Sequence, residues 1–285
     1  MDLITRLGPE GLILVVAGCL AVALLVVTRL ASLLLWREAV DKPNAATRLV
    51  QAGETLGVFL VAGSAAHGCV HGDQLRSEIF WAGVFGFFGA ILLIATGRLG
   101  TGLLLGKSLR EEVRSGNQAA AIACAGHYIA TAIIIARCLY GNDLATLGVS
   151  LAFFAIGQIT LHGCVLLFRA LTSYDDAEEI KGENVAAGLS YAGATVALAM
   201  IIGHAAEGTF TGWSSSLKAY GAALLFSLAL WPVRQLLVQT IVVGGRPTLW
   251  KGKLDEGIAR ERNAGLGALE AVSYLATALI VTWLS

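Results

Sequence analysis

Eight stretches of this chain stay apolar for twenty residues or more, at about 11–36, 45–66, 79–105, 118–138, 145–170, 185–205, 218–243 and 264–284. Each reaches the ~20 residues a helix needs to cross ~30 Å of hydrocarbon. None shows the two-residue alternation of barrel strands, so the spans are expected to be helices that satisfy their own backbone groups. Composition agrees: 56% of the 285 residues are hydrophobic and 14% are charged, where a soluble domain is about a quarter charged. The expected fold is all-α, a polytopic membrane bundle of eight transmembrane helices with the lipid bilayer as its surroundings. Lysine plus arginine total 20 against 20 acidic residues, so no basic excess exists to hold nucleic acid. The first stretch exceeds the core of a signal peptide and has Asp2 and Glu10 beside Arg6. It is expected to be a retained span.

A phrase recurs inside this frame. Residues 178–198 read EEIKGENVAAGLSYAGATVAL and residues 111–131 read EEVRSGNQAAAIACAGHYIAT. Weaker copies start at Arg37 and Glu256. The anchoring asparagines, Asn44, Asn117, Asn184 and Asn263, lie 73, 67 and 79 residues apart. Roughly constant spacing implies repeated units, here four parallel helical hairpins at about 11–66, 79–138, 145–205 and 218–284, all within one transmembrane domain. Each asparagine precedes the first apolar residue of an even-numbered span, the place of a helix N-cap.

Basic residues orient the hairpins. Thirteen lie in the loops after odd spans: Arg37, Lys42, Arg48, Lys107, Arg110, Arg114, Arg169, Lys181, Arg246, Lys251, Lys253, Arg260 and Arg262. Four lie on the other side: Arg6, Arg76, Arg137 and Lys218. Positive residues stay inside, so the repeated phrases are expected in the cytoplasm and both termini outside. The acids before the asparagines form a rim there. The run Asp175, Asp176, Glu178 and Glu179 is the candidate docking surface for a basic cytoplasmic partner. Five scattered cysteines without CxxC spacing point to free thiols, Cys69 and Cys138 included.

The acid-acid…Asn-x-Ala-Ala hairpin, seen best in the middle two copies, resembles the YjfL-like family of bacterial inner-membrane proteins, a domain of unknown function. The resemblance covers nearly the whole chain. It implies an all-helical inner-membrane fold and an association with envelope-stress proteins of the phage-shock (PspA-like) kind, and it supplies no catalytic residues. Two departures are Val272, where other copies have Gly53, Gly126 and Gly193, and Ala194, where Glu54 and His127 stand.

Ionisable residues recur at matching depths. Aligned on their shared endings, the odd spans place Arg29, Arg98, His162 and Arg234 at one repeat position, roughly 10–14 Å deep at ~1.5 Å per residue. Aligned on the asparagines, the even spans place Glu54 and His127 ten residues in, and Tyr191 and Glu270 seven residues in, again roughly 10–15 Å deep. A charge near the bilayer centre costs at least ~2.5–3.5 kcal/mol and must face the bundle interior. The expected pairs are Arg29 with Glu54, Arg234 with Glu270, Arg98 facing His127, and His162 facing Tyr191. Such pairs serve either as buried register pins or as a polar pathway for protons or small cations.

Other motifs are bland. His67, Cys69 and His71 show no fourth zinc ligand. GRLGTG at 97–102 lies inside a span, where it is no phosphate loop. No nucleophile elbow, Walker sequence or paired-histidine motif occurs, so neither an enzyme nor a cofactor is expected. Two function classes remain: a proton or small-ion conduit using the charged layer, and a non-transporting platform that recruits a cytoplasmic partner through the acidic loops. Parallel repeats allow one chain to surround an axis, or two copies to combine as a homo-oligomer.

Overall fold

The computed structural model describes residues 2–35, 44–106, 108–208, 210–229, 231–249 and 252–284. Arg37, Glu38, Lys42, Lys107 and Lys251 of the expected basic and acidic loops lie outside the described residues. Among those described, the chain is helical without strands, and eight helices are long and apolar enough to cross a membrane.

The first four spans are α1 (Asp2–Leu35), α2 (Ala45–Cys69), α3 (Leu75–Leu105) and α5 (Gln118–Cys138). The second four are α6 (Leu144–Leu171), α8 (Val185–Ala206), the run Trp213–Val242, and α12 (Ala264–Leu284). The run comprises α9 (Trp213–Ala229), α10 (Trp231–Leu237) and a closing π-helical turn, Val238–Val242. Three short helices precede the even spans: α4 (Leu109–Ser115), α7 (Asp176–Lys181) and α11 (Lys253–Ala259). Their sequences read as loops because six or seven residues show no period, yet end chemistry sets them. Acids occupy the first turn of each, where they meet the positive end of the helix dipole. Gly116, at φ 107°, stops α4 in the left-handed conformation glycine adopts without steric cost.

The even spans form a row in which α2 packs on α5, α5 on α8, and α8 on α12. The odd spans flank it: α1 and α3 lie on α2, α6 on α8, and α9 on α8. The central helices α5 and α8 are 72% buried over their apolar windows, against 12–39% for the others. They are accordingly built of small residues, because water-free helix association relies on close backbone approach. A Cβ added at Gly53 would stand under 3 Å from Ala125, one at Gly126 as close to Ala192, and one at Gly193 as close to Ala271. Val272, the next member of the series, is 61% exposed. The glycine rule lapses where no further helix packs.

The asparagines bind this row together. Asn44 Oδ1 accepts from the Thr47 amide at 2.8 Å, Asn117 from Ala120 at 3.0 Å, Asn184 from Ala186 at 3.1 Å, and Asn263 from Gly265 at 3.0 Å. The side-chain amide then reaches forward to the next short helix. Asn44 Nδ2 donates to the Arg114 carbonyl at 2.9 Å, Asn117 to Ile180 at 2.9 Å, and Asn184 to Ile258 at 2.8 Å. One residue thus satisfies an orphan amide on its own helix and an orphan carbonyl on its neighbour.

Candidate functional site

Two arginines carried by flanking helices turn inward. Arg234, on α10, is 5% exposed, and Glu270, on α12, is 4% exposed. Their ion pair spans 3.8 Å. The guanidinium also donates through Nε to Ser273 Oγ at 2.9 Å and through Nη1 to Gln235 at 2.7 Å, and it lies 3.5 Å above the Tyr274 ring. Glu270 in turn accepts from Ser190 Oγ at 2.6 Å and from the Tyr274 hydroxyl at 3.1 Å. A buried ion pair recovers its desolvation cost only when the remaining protons and lone pairs are also satisfied. These partners do that.

In the first four spans Arg98, on α3, is 9% exposed. Its guanidinium lies within hydrogen-bonding reach of Tyr128 on α5, and Glu54 on α2 contributes to the field at the same hydroxyl. Tyr128 and Tyr274 both stand eleven residues after a cap asparagine, a regularity that marks them as equivalent aromatic partners for the two arginines.

Between these sites is a cluster without charge. The rings of His127 (α5) and His162 (α6) meet edge to face with centroids 5.5 Å apart. Gly100 of α3 makes the room, since a Cβ there would collide with His127 Nε2. His162 Nδ1 bonds the Gln158 carbonyl at 2.7 Å. The Thr96 backbone reaches the His127 ring, but within strict hydrogen-bond geometry His162 Nε2 and both nitrogens of His127 find no partner. One helical turn away on the same faces, the Thr131 hydroxyl and both amide atoms of Gln158 are also buried and partnerless. Tyr191, fully buried on α8, has a partnerless hydroxyl. Orphaned buried polar atoms are rare, and here several lie together on the facing sides of α5 and α6.

The structure therefore redraws the expected pairs. Arg234 meets Glu270 as anticipated. Arg29 lies exposed on α1, and Glu54 shares its surroundings with Arg98 and Tyr128. His127 faces His162 rather than Arg98, and His162 faces His127 rather than Tyr191. Rotation about each helix axis was not legible in the sequence, because glycine and alanine on every face leave the buried side unmarked.

The acidic run is not one exposed face. Asp175 caps α7 and pairs with Arg169 at 3.0 Å. Asp176 is wholly buried, and Arg169 Nε lies 3.9 Å from it. Burial, opposed in part by Arg169, pushes the Asp176 carboxyl up to about 7. Glu179 accepts from Asn184 at 2.9 Å and faces Arg262 at 3.8 Å. Glu178 stays exposed beside Lys181 at 3.6 Å. All five cysteines are free thiols. Among the described residues no three His, Cys, Asp or Glu side chains converge to hold a metal.

Comparison with known families agrees with this arrangement. The family model for a domain of unknown function, DUF350, matches residues 10–139 and again residues 142–284. The chain belongs to the DUF350 family. It carries two tandem copies of the DUF350 unit, one ending with α5 and the other with α12, so the family unit is four spans long and not the single hairpin of which the resemblance implied four copies. No curated protein and no solved structure matches the chain.

Proposed function

We propose that this DUF350 protein is an inner-membrane conduit or transporter for protons or small cations. One observation carries the proposal: the interior stack of His127, His162, Gln158 and Thr131, whose polar atoms lack protein partners inside a membrane-spanning bundle. Imidazole can accept a proton on one nitrogen and release one from the other. The buried arginines supply fixed charge to either side of such a path, and the carboxylates of Glu54 and Glu270 offset it. The excess of basic residues at the short-helix end supports a cytoplasmic position for that end.

A recruitment role finds less support. Two of the four acids proposed for docking are committed within the protein, Asp176 by burial and Glu179 by its bonds to Asn184 and Arg262.

The test is proton flux in proteoliposomes loaded with a pH-sensitive dye and driven by a potassium diffusion potential. The intact protein should acidify or alkalinise the lumen well above the leak of empty liposomes. The His127→Leu/His162→Leu variant should fall to that leak. Flux equal in the two proteins, or no flux in either, removes the proposal.

A further inference from the structure

The polar groups near Glu270 do not end at the ion pair; they continue toward the short-helix end of the bundle. Ser190 Oγ, which donates to Glu270 at 2.6 Å, is itself fully buried. Beside it lies the hydroxyl of Tyr174, in the segment between α6 and α7, close enough for Ser190 to act on it. That hydroxyl is buried and forms no hydrogen bond in the resting geometry. Beyond Tyr174 is Asp176, whose Oδ2 accepts from Thr172 Oγ1 at 3.3 Å and whose Oδ1 is buried and partnerless. Asp176 forms part of the wall of an open cleft of about 490 Å³, lined also by Leu166, Arg169, Thr172, Tyr174 and Asp175.

On the other side of Glu270 the path stops. The cavity against Arg234 and Tyr274 holds about 20 Å³ and is walled by Ala197, Leu198, Ile201, Leu228 and Trp231. That is about the space of one water, and of its lining residues only Arg234, Tyr274 and Thr277 carry polar side chains.

We propose that the cleft beside α7 is a one-sided proton mouth, through which Asp176, Tyr174 and Ser190 relay protons to and from Glu270. It rests on the proton-handling reading above and adds the entry point. Each transfer is balanced. Asp176 gives its proton to the Tyr174 oxygen as Tyr174 gives its own to Ser190, and Ser190 passes one to Glu270. One proton moves, each hydroxyl is restored, and no electron changes hands. Two partnerless atoms, Tyr174 Oη and Asp176 Oδ1, are the gaps a proton would bridge.

The groups facing Asp176 suit the role. Arg169 from α6 holds the anion, whereas Glu270 from α12 and the neighbouring Asp175 oppose it. Tyr191 from α8 and Asp255 from α11 lie within electrostatic range of the same cluster. Burial pushes Tyr174 well above its usual value, with Glu270 and Asp176 adding to the rise, so its hydroxyl stays protonated and available as a donor.

Hydrogen–deuterium exchange of the Glu270 carboxyl tests this. The full protein in bilayers is followed by infrared spectroscopy at low pH, and the carboxyl C=O band is assigned by its loss in Glu270→Gln. On transfer to D2O the band should shift promptly in the wild type. It should shift at least tenfold more slowly in Tyr174→Phe and in Asp176→Asn, and at the wild-type rate in Ser214→Ala, an exposed change at the start of α9 away from the cleft. Tyr174→Phe keeps the ring and removes only the hydroxyl beside Ser190, so a tyrosine that serves packing alone would leave exchange unchanged. Rates within twofold of wild type in both relay variants overturn the proposal, as does the absence of any Glu270 carboxyl band. Slowed exchange without proteoliposome flux keeps the mouth and discards transport. Flux with unchanged exchange does the reverse.

Discussion

The two DUF350 copies hold their buried arginines in the same way and their acids in different ways. In both, an arginine on the third span meets a tyrosine on the fourth: Arg98 with Tyr128, and Arg234 with Tyr274. In the first copy the acid, Glu54, comes from the second span and is only half-buried. In the second copy the acid, Glu270, comes from the fourth span, is 4% exposed and takes bonds from Ser190 and Tyr274. Six residues after the cap asparagine the second copy has Ser190 and the first has Val50. The relay position is therefore apolar in one half. The arginine on tyrosine is the shared scaffold, and the acid is what duplication left free to specialise.

The largest effect should come from the acids themselves. Glu270→Ala strands Arg234 in the interior and should cost about 3–5 kcal/mol, as loss of one buried partner does. Glu54→Ala should cost less than half as much in detergent thermal unfolding. Equal losses would show that the two halves are not differently built.

Asp176 comes next, with a sign fixed by its raised folded value of about 7 against the usual 3.8. Its favourable contribution is full below pH 3.8 and is lost as pH rises through about 7. Asp176→Asn has no such loss. The variant should match wild type near pH 4 and exceed it by up to about 4 kcal/mol at pH 8, at ~1.4 kcal/mol per unit. A stability difference that is flat across this range would place Asp176 in water.

The helix row should respond in a graded way. Gly126→Val forces a branched side chain against Ala192 and should cost about 1–3 kcal/mol. Val272→Ala, on the exposed end of the row, should stay within about 0.5 kcal/mol of wild type. The smallest contrast lies in the caps. Asn117→Ala loses a cap and a bridge to Ile180 and should cost about 1–2 kcal/mol, against about half that for the exposed Asn263→Ala. Equal costs there would mean that the forward hydrogen bonds add nothing.

Much of this fold was legible in the sequence because the bilayer imposes length and apolarity on every span. The caps were legible because asparagine recurred at each even span. The site was legible only in part. Arg234 and Glu270 were matched because each had one candidate at its level. The His127–His162 contact was hidden because it joins an even span to the odd span of the following hairpin, while the expected pairs stayed within hairpins. Gln158 and Thr131 carry the i, i+4 spacing that puts them on the histidines' faces, yet neutral polar residues in an apolar run draw no notice. Asp176 looked like surface rim because its burial comes from α3, α5 and α8 packing against a six-residue helix, a tertiary effect with no local mark.

Hydroxyl-radical footprinting of the protein in bilayers, read residue by residue by mass spectrometry, asks directly whether the stacked polar interior is wet. The account predicts that His127 and His162 are labelled at rates approaching those of exposed His67, despite lying inside the bundle. Labelling as slow as that of the buried core residues Phe85 and Leu161 would show a dry interior and contradict it.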